Sequence, residues 1–189
     1  MAIHHLQTPL TDDVIKTLHV GDEVYLSGVI YMARDAAHKR FVELINQGKP
    51  LPVDLTGHTV FYGGPAPTKP GEVIGVVAPT SAYRMDPYAI VLFDNGVKAA
   101  IGKGNRGLAI RECCKKNTTV CFSAIGGISA TLQSCIRSAR VVAYEDLKAE
   151  AVQRLEIENF PLLVTNDAYG RDLFEEQVAI FEKQLNPAD

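Results

Sequence analysis

Three short segments of this chain each place a cation where a predicted strand gives way to a helix or a tight turn. They are 33–40 with Arg34, 79–86 with Arg84, and 101–106 with Lys103. In open α/β sheets, ligands bind outside the carboxyl ends of the strands. Three fixed cations at that edge would bind a small anion that carries more than one carboxylate or phosphate. Since no obvious base, nucleophile or metal cluster accompanies them, the sequence indicates half of an active site.

Arg34 has two interpretations. A lone arginine after a strand is commonly a solvated surface residue, and surface ion pairs contribute little to stability. Arg34, however, opens a predicted helix, and the positive end of the helix dipole favours anions over cations. A bound anion or an acidic partner would explain this placement, and the neighbouring Asp35 could partly supply one.

Thr80 also has two interpretations. Thr80 and Ser81 could cap a helix that begins near Ala82, which is a common role for these residue types. In that helix Thr80 and Arg84 would be one turn apart. A guanidinium beside a hydroxyl favours the alkoxide, so Thr80 is a candidate proton-transfer group, although the high intrinsic pKa of a hydroxyl makes the role demanding.

The segment Gly102–Gly107 fits the pattern G-x-G-x-x-G, which is typical of dinucleotide sites when it follows a strand and opens a helix. The acidic residue expected roughly 20 positions later is missing, because 120–127 contains no Asp or Glu. We therefore favour the alternative, in which the glycines let Lys103 and nearby backbone N–H groups approach an anion.

Composition narrows the class of protein. The 189 residues are enough for one well-buried domain, and 47% hydrophobic with 22% charged residues is ordinary for a globular protein. A formal net charge of −3 argues against a general nucleic-acid binder. No apolar run approaches the roughly 20 residues that span a bilayer, and the N-terminus lacks the regions of a secretory signal. We expect a cytoplasmic protein with neither a nucleic-acid nor a membrane partner.

The four cysteines are Cys113, Cys114, Cys121 and Cys135. They form no C-x-x-C pair and have no nearby histidine, so the spacing does not predict a zinc site. Three of them could in principle ligate an iron–sulfur cluster. The favoured interpretation is four buried small residues in a reducing compartment.

Strand and helix patterns alternate along the chain, which predicts an α/β fold. The predicted strands are 22–31, 59–62, 73–78, 97–101, 118–124, 140–144, 152–158 and 161–166. The predicted helical segments are 11–18, 34–47, one from Ala82, 105–116, 128–135 and 172–185. An irregular loop is expected at 63–71, and the last helix is amphipathic, with Phe174, Val178 and Phe181 on one side.

These residues resemble the β subunit of class I, iron–sulfur-dependent fumarate hydratases, which corresponds to the C-terminal domain of their single-chain forms. The chain is also similar to the related L-tartrate dehydratase β subunit. The motifs that carry the resemblance are 6–11, 20–22, 27–28, 33–40, 64–67, 70–75, 79–80, 84–86, 101–104, 124–127, 143–147 and 158–161. They follow one another in order over nearly the whole chain.

The resemblance implies one swivelling β/β/α domain over residues 1–189 and a hydro-lyase that reversibly hydrates fumarate to malate. It implies that Arg34, Arg84 and Lys103 bind the carboxylates of a dicarboxylate substrate. It assigns catalysis to Thr80, as the proton-transfer residue, and to Arg84 beside it. It also implies an α/β hetero-oligomer, in which three cysteines of an α subunit hold a [4Fe-4S] cluster whose open iron acts as Lewis acid.

Two departures from the family pattern keep other functions open. Residues 78–82 read Ala-Pro-Thr-Ser-Ala where the family usually has Gly-Pro-Thr-Thr-Ser, and Met32 stands where threonine is common. The alternatives are the L-tartrate dehydratase β subunit and a non-catalytic module that binds dicarboxylates or assists assembly. The segment Lys103–Arg106 favours fumarate over tartrate.

Overall fold

A computed structural model of the chain describes residues 1–125 and 127–185. Its strands are β1 (Ile3–Gln7), β2 (Glu23–Met32), β3 (Thr59–Phe61), β4 (Gly63–Pro65), β5 (Val77–Pro79), β6 (Ala99–Gly102), β7 (Val120–Ser123), β8 (Ile136–Ala143) and β9 (Val152–Asn166). Its α-helices are α1 (Asp12–Ile15), α2 (Asp35–Asn46), α3 (Asp86–Asp94), α4 (Leu108–Asn117), α5 (Ser129–Ser134) and α6 (Leu173–Leu185), with 3₁₀ turns at Tyr83–Met85 and Glu145–Glu150. Gly126, which belongs to the 124–127 motif, lies outside the described residues.

Local sequence explains the elements that lead to the cationic edge. In β2, Val24, Leu26 and Ile30 are fully buried, as expected where one face of a strand meets the core. In α2, Ala37 and Phe41 lie four positions apart and are both buried, which is the helical repeat of a packed face. Gly48 follows α2 with φ of +65°, a conformation that glycine adopts without strain and that commonly ends helices.

The main sheet has the order β1-β2-β3-β6-β7-β9-β8, and β2 also pairs with β9. The four pairings from β1 through β7 are parallel. The long strand β9 runs antiparallel and pairs with β2, β7 and β8. Because β9 contacts both β2 and β7, the sheet curls into a partial barrel.

Two apolar clusters lie on the two faces of this sheet. Alternation along the strands sends Phe61, Ile101 and Phe122 into one cluster and their neighbours Ala100 and Cys121 into the other, since successive side chains point to opposite faces. The second cluster also contains the buried faces of α2, α3 and α4. The helices therefore cover the outer face, and their loops meet the strands at the carboxyl edge.

Most predicted elements are confirmed, but several strands differ. The expected strands 152–158 and 161–166 are one continuous strand, β9. The irregular loop begins as strand β4, which pairs with β5, and β5 spans only the last part of the expected strand 73–78 and Pro79. Strand β1 was not predicted at all. Its residues alternate between exposed and half-buried, so their composition carries little strand signal.

One helix starts later than predicted, whereas α6 lies within one residue of its expected bounds. Helix α4 begins at Leu108 rather than at 105, because Arg106 turns into the core first. The apolar side of α6 is only partly covered by the rest of the described chain: Phe174, Val178 and Phe181 are 37%, 55% and 57% exposed. Among the described residues, no helix is long and apolar enough to cross a membrane.

Candidate functional site

The predicted cations lie where parallel strands end side by side. The hydrogen-bond ladder continues past β2 and β3, since Ala33 N donates to Phe61 O over 3.0 Å. Arg34 is therefore the second residue beyond β2. Lys103 directly follows β6, the neighbour of β3. The structure thus brings Arg34 and Lys103 to the same edge of the sheet, as their spacing predicted.

Residues 80–82 insert between the ends of β3 and β6 and bring Thr80 to this edge. Thr80 N donates to Tyr62 O over 2.6 Å, Lys103 N donates to Thr80 O over 3.1 Å, and Ala82 N donates to Lys103 O over 2.8 Å. Thr80 is thus extended backbone beside Lys103. The prediction that Thr80 or Ser81 caps a helix is wrong, because the following 3₁₀ turn has Ala82 at its N-cap and no side-chain cap.

Arg84 joins the site through Asp35, the first residue of α2. Arg84 Nη2 lies 2.6 Å from Asp35 Oδ2, and Arg34 Nε lies 4.0 Å from the same oxygen. Two guanidinium groups from separate segments therefore meet at one carboxylate. The sequence suggested Asp35 as a partner for Arg34, but its shorter contact is with Arg84.

Glu150 is the second acidic partner, and sequence reasoning missed it. Its Oε1 lies 3.8 Å from Arg34 Nη2, and its Oε2 accepts a hydrogen bond from Ala36 N over 3.1 Å. A carboxylate at the N-terminus of α2 is favoured by the helix dipole. Glu150 thus offsets the unfavourable placement of Arg34, and its position 114 residues from Ala36 leaves no local sequence signal.

The charges of the site shift the pKa of Asp35. Partial burial opposes its ionisation, but the hydrogen bond from Arg84 and the charges of Arg84 and Arg34 outweigh burial, so the pKa of Asp35 falls below its usual value of 3.8. Asp35 is therefore ionised near neutral pH and bridges the two arginines as an anion.

Arg34 retains a donor that the described chain does not satisfy. Its Nε is buried and lacks a hydrogen-bond partner within residues 1–125 and 127–185. A Cβ added at Gly64 would lie 2.9 Å from Arg34 Nη1 and 3.0 Å from its Cδ. The absence of a side chain at Gly64 therefore leaves room for the guanidinium at the edge of the sheet.

The buried ring of His38 contacts the backbone of Arg34. Its Nδ1 lies 2.8 Å from Arg34 O, and its ring packs edge-on against Phe41 and Tyr62. Complete burial lowers the pKa of His38 to about 4, so the ring is neutral near pH 7 and Nδ1–H donates to the carbonyl. His38 is therefore a buried structural residue of α2.

The cysteines do not form a ligand set in the described part of the chain. Cys113, Cys114 and Cys121 are buried, as expected, and Cys135 is partly exposed. Cys114 Sγ and Cys121 Sγ lie 3.8 Å apart in the core. Within residues 1–125 and 127–185, no three His, Cys, Asp or Glu side chains are grouped so as to hold a metal ion. The residues present therefore do not fit an iron–sulfur cluster held by this chain alone.

A cavity of about 630 Å³ lies away from these residues. It is lined by the ends of α2 and α3 and the loop between Gly48 and Thr56. Because α2 runs back from the carboxyl edge, this cavity is at the amino edge of the sheet and contains none of the four predicted site residues. The cationic site is instead an open surface of the described chain.

The fold and the site define a mixed α/β protein whose sheet forms a partial barrel. Cationic side chains lie at the edge of this sheet where the parallel strands end. The model of the family described as Fumarase C-terminus matches residues 2–177. The chain belongs to this family.

Similar proteins include both long and short chains. Fumarate hydratase 1, mitochondrial, of Leishmania major is 40% identical over 154 residues, which cover 80% of this chain and 28% of the relative. The anaerobic class I fumarate hydratase of Escherichia coli is 37% identical over 161 residues, covering 84% and 29%. A Methanocaldococcus jannaschii protein provisionally named L(+)-tartrate dehydratase subunit beta is 33% identical over 181 residues, covering 92% and 93%. The chain thus spans less than a third of the two fumarate hydratases and nearly all of the third relative.

Proposed function

We propose that this chain is the β-type half of an iron–sulfur-dependent hydro-lyase that reversibly hydrates fumarate to malate. In this proposal the chain forms one domain of the swivelling β/β/α type over residues 1–189 and works with an α subunit. Water adds across the carbon–carbon double bond, so that one carbon gains a proton and the other gains hydroxyl.

The observation that carries this proposal is the carboxylate of Asp35 between two arginines. Its Oδ2 is 2.6 Å from Arg84 Nη2 and 4.0 Å from Arg34 Nε. Guanidinium groups recognise carboxylates strongly through their fixed fork of donors. An edge that already gathers two guanidiniums around one carboxylate suits a dicarboxylate substrate.

Each proposed site residue has a role that follows from its type. Arg34, Arg84 and Lys103 bind the two carboxylates and hold the substrate in one orientation, which lowers the entropic part of the barrier. Thr80 transfers the proton at its hydroxyl oxygen. A nearby positive charge would favour an oxyanion there, and the backbone places Lys103 next to Thr80, although the intrinsic pKa of a hydroxyl requires strong stabilisation.

Exposed apolar residues around the cations support a partner at this edge. Tyr83, beside Arg84, is 63% exposed, and Leu108, which follows the Lys103 turn, is 66% exposed. Ile125, just beyond β7, is 59% exposed. A partner that covered these side chains would exclude water from the cations and strengthen their charge interactions. The name of the Methanocaldococcus jannaschii relative includes the word subunit, which is consistent with such a partner.

The cluster in this proposal belongs to the α subunit. When bound there, a [4Fe-4S] cluster supplies Lewis acidity at its open iron. This chain contributes the binding of the dicarboxylate and the proton transfer, and none of its residues is assigned as a ligand to the cluster.

The second candidate is the β subunit of an L-tartrate dehydratase. It is favoured by the Methanocaldococcus jannaschii relative, which this chain matches over 93% of that relative's length. Tartrate is also a four-carbon dicarboxylate, so the same cations would bind it. Discrimination between tartrate and malate would depend on the side chains that contact the hydroxyl groups of the substrate.

The test mixes the purified chain anaerobically with its candidate α subunit, whose cluster has been reconstituted. Malate is added and the absorbance of fumarate is followed. We expect fumarate to form only when both chains are present. Turnover of tartrate but not malate would select the second candidate, and turnover by this chain alone would contradict a two-chain enzyme.

Substitutions of Thr80 test its proposed role in proton transfer with the same assay. Thr80→Val keeps the shape of the side chain but removes the hydroxyl, so kcat should fall by about 10²–10⁴, the usual range for a lost proton-transfer group. Thr80→Ser keeps the hydroxyl and serves as the matched control. Equal activity in the two variants would exclude proton transfer by Thr80.

A further inference from the structure

Arg106 is a cation that the proposed site does not use. It belongs to the same segment as Lys103, yet its side chain is only 2% exposed. Its Nε donates to Asp86 Oδ1 over 2.5 Å, and its guanidinium carbon lies 5.5 Å from the centre of the Tyr62 ring. A buried ion pair gains little net stability compared with apolar packing, so its placement calls for another explanation.

Asp86 connects the segments of two proposed substrate-binding residues. It is the first residue of α3 and lies two positions after Arg84. Its Oδ1 accepts from Arg106, and its Oδ2 accepts from Gly107 N over 2.7 Å. One carboxylate therefore holds the end of the turn that carries Lys103 against the turn that carries Arg84.

The contact with Tyr62 extends this connection to Thr80. Arg106 packs on the ring of Tyr62, and the carbonyl of Tyr62 accepts from Thr80 N over 2.6 Å. Thr80 O in turn accepts from Lys103 N over 3.1 Å. The segments of Thr80, Arg84 and Lys103 thus meet at the Arg106 side chain and its direct contacts.

We propose that Asp86 and Arg106 are positioning residues, whose buried ion pair sets the arrangement of Arg84, Lys103 and Thr80 at the substrate site. This inference rests on the proposed function for its kinetic consequence. Its structural part, that the pair orders these three segments locally, is independent of that function. The competing explanation is that the pair only fastens α3 to α4.

Helix α3 offers a matched control at its other end. Asp94 is its last residue, and it binds Lys116 Nζ over 2.8 Å and Asn117 Nδ2 over 2.7 Å, both at the end of α4. Asp94→Asn therefore weakens a second link between the same two helices without touching the segments of the site. Comparison of Asp86→Asn with Asp94→Asn separates positioning from general attachment of the helices.

The experiment measures two quantities for the wild-type chain, Asp86→Asn, Arg106→Lys and Asp94→Asn. The first is the exchange rate of individual amide protons, followed by NMR. For Asp86→Asn and Arg106→Lys, we expect at least tenfold faster exchange at Thr80, Ala82, Lys103 and Gly107, with amides of β9 unchanged. The milder Arg106→Lys keeps the positive charge but loses the planar guanidinium, and it carries the comparison if Asp86→Asn does not fold.

The second quantity is the kinetics of each variant with the α subunit. We expect kcat/KM to fall at least tenfold for Asp86→Asn and Arg106→Lys, with a raised KM, and less than twofold for Asp94→Asn.

Exchange that accelerates equally throughout the sheet would overturn the proposal. So would kinetics of Asp86→Asn that match those of Asp94→Asn. If the wild-type chain shows no turnover when it is combined with the α subunit, the proposed function fails. The location of the amides with accelerated exchange then decides by itself whether Asp86 and Arg106 order the three segments.

Discussion

Arg84 and Asp35 are 49 positions apart in the chain, yet Nη2 of Arg84 lies 2.6 Å from Oδ2 of Asp35. This contact links the 3₁₀ turn after Thr80 to the first residue of α2, and Arg34 approaches the same carboxylate from the adjacent position. An internal carboxylate thus occupies part of the surface that we propose for substrate carboxylates.

The Arg84–Asp35 contact predicts a change in the pKa of Asp35. Arg84→Ala removes the largest favourable contribution to ionisation and leaves the opposing effect of burial. The pKa of Asp35 should therefore rise from below 3.8 towards or above that value, measured by NMR titration of the carboxyl carbon. Arg40→Ala is the control, because Arg40 pairs with Asp146 instead. An unchanged pKa in Arg84→Ala would contradict the contact.

The proposed substrate contacts predict a joint effect on both kinetic constants. Arg84→Ala or Lys103→Ala should raise KM and lower kcat in the reconstituted pair, with a loss of about 2–4 kcal/mol of transition-state binding. Steady-state kinetics measure both constants. Arg137→Ala, which removes an exposed ion pair with Glu158, should leave them within about twofold. Wild-type kinetics in both Arg84→Ala and Lys103→Ala would remove these residues from the site.

The close packing around Gly102 predicts a steric clash when a side chain is added at the end of β6, beside the Thr80 segment. A Cβ at position 102 would lie 2.9 Å from Ala82 Cβ and 3.1 Å from Tyr62 Cδ2, closer than packed carbon atoms allow. Gly102→Ala should therefore lower the free energy of unfolding by about 1–3 kcal/mol, the usual cost of overpacking. Urea denaturation measures this loss. Adding Ala82→Gly should restore part of it, and no recovery in the double variant would place the strain elsewhere.

The burial of His38 predicts that the folded protein loses stability in mild acid. The pKa of His38 is lowered to about 4 by burial, from 6.5, so below pH 6.5 the unfolded chain binds a proton that the folded chain does not. The unfolded state is thereby favoured as the pH falls from 6.5 towards 4. Between pH 7 and pH 5 the loss should be about 2 kcal/mol.

Urea denaturation of the wild type and His38→Asn at these two pH values isolates the contribution of His38. Shared carboxylates affect both proteins alike, and the variant should lose much less stability than the wild type. Parallel losses in the two proteins would show that His38 does not resist protonation.

Local patterns were sufficient for much of the fold. Helix α2 and strand β2 lie close to their predicted bounds, because burial of one face imposes a periodicity that a short window reveals. The break between the two predicted strands within 152–166 was wrong, because Asn159 at φ of +50° interrupts the pattern without ending the strand. Strand β1 was missed because only part of it is buried.

The sequence by itself determined that Arg34 and Lys103 stand at the ends of strands, since strand and helix signals there depend on adjacent residues. It also determined the family, through ordered motifs along the chain. Only the tertiary structure decided that Asp35 binds Arg84, that Glu150 reaches the start of α2, and that Arg106 is buried while Lys103 is exposed. These contacts join segments that are distant in the chain, so they depend on the order of strands in the sheet and on the way helices pack against it.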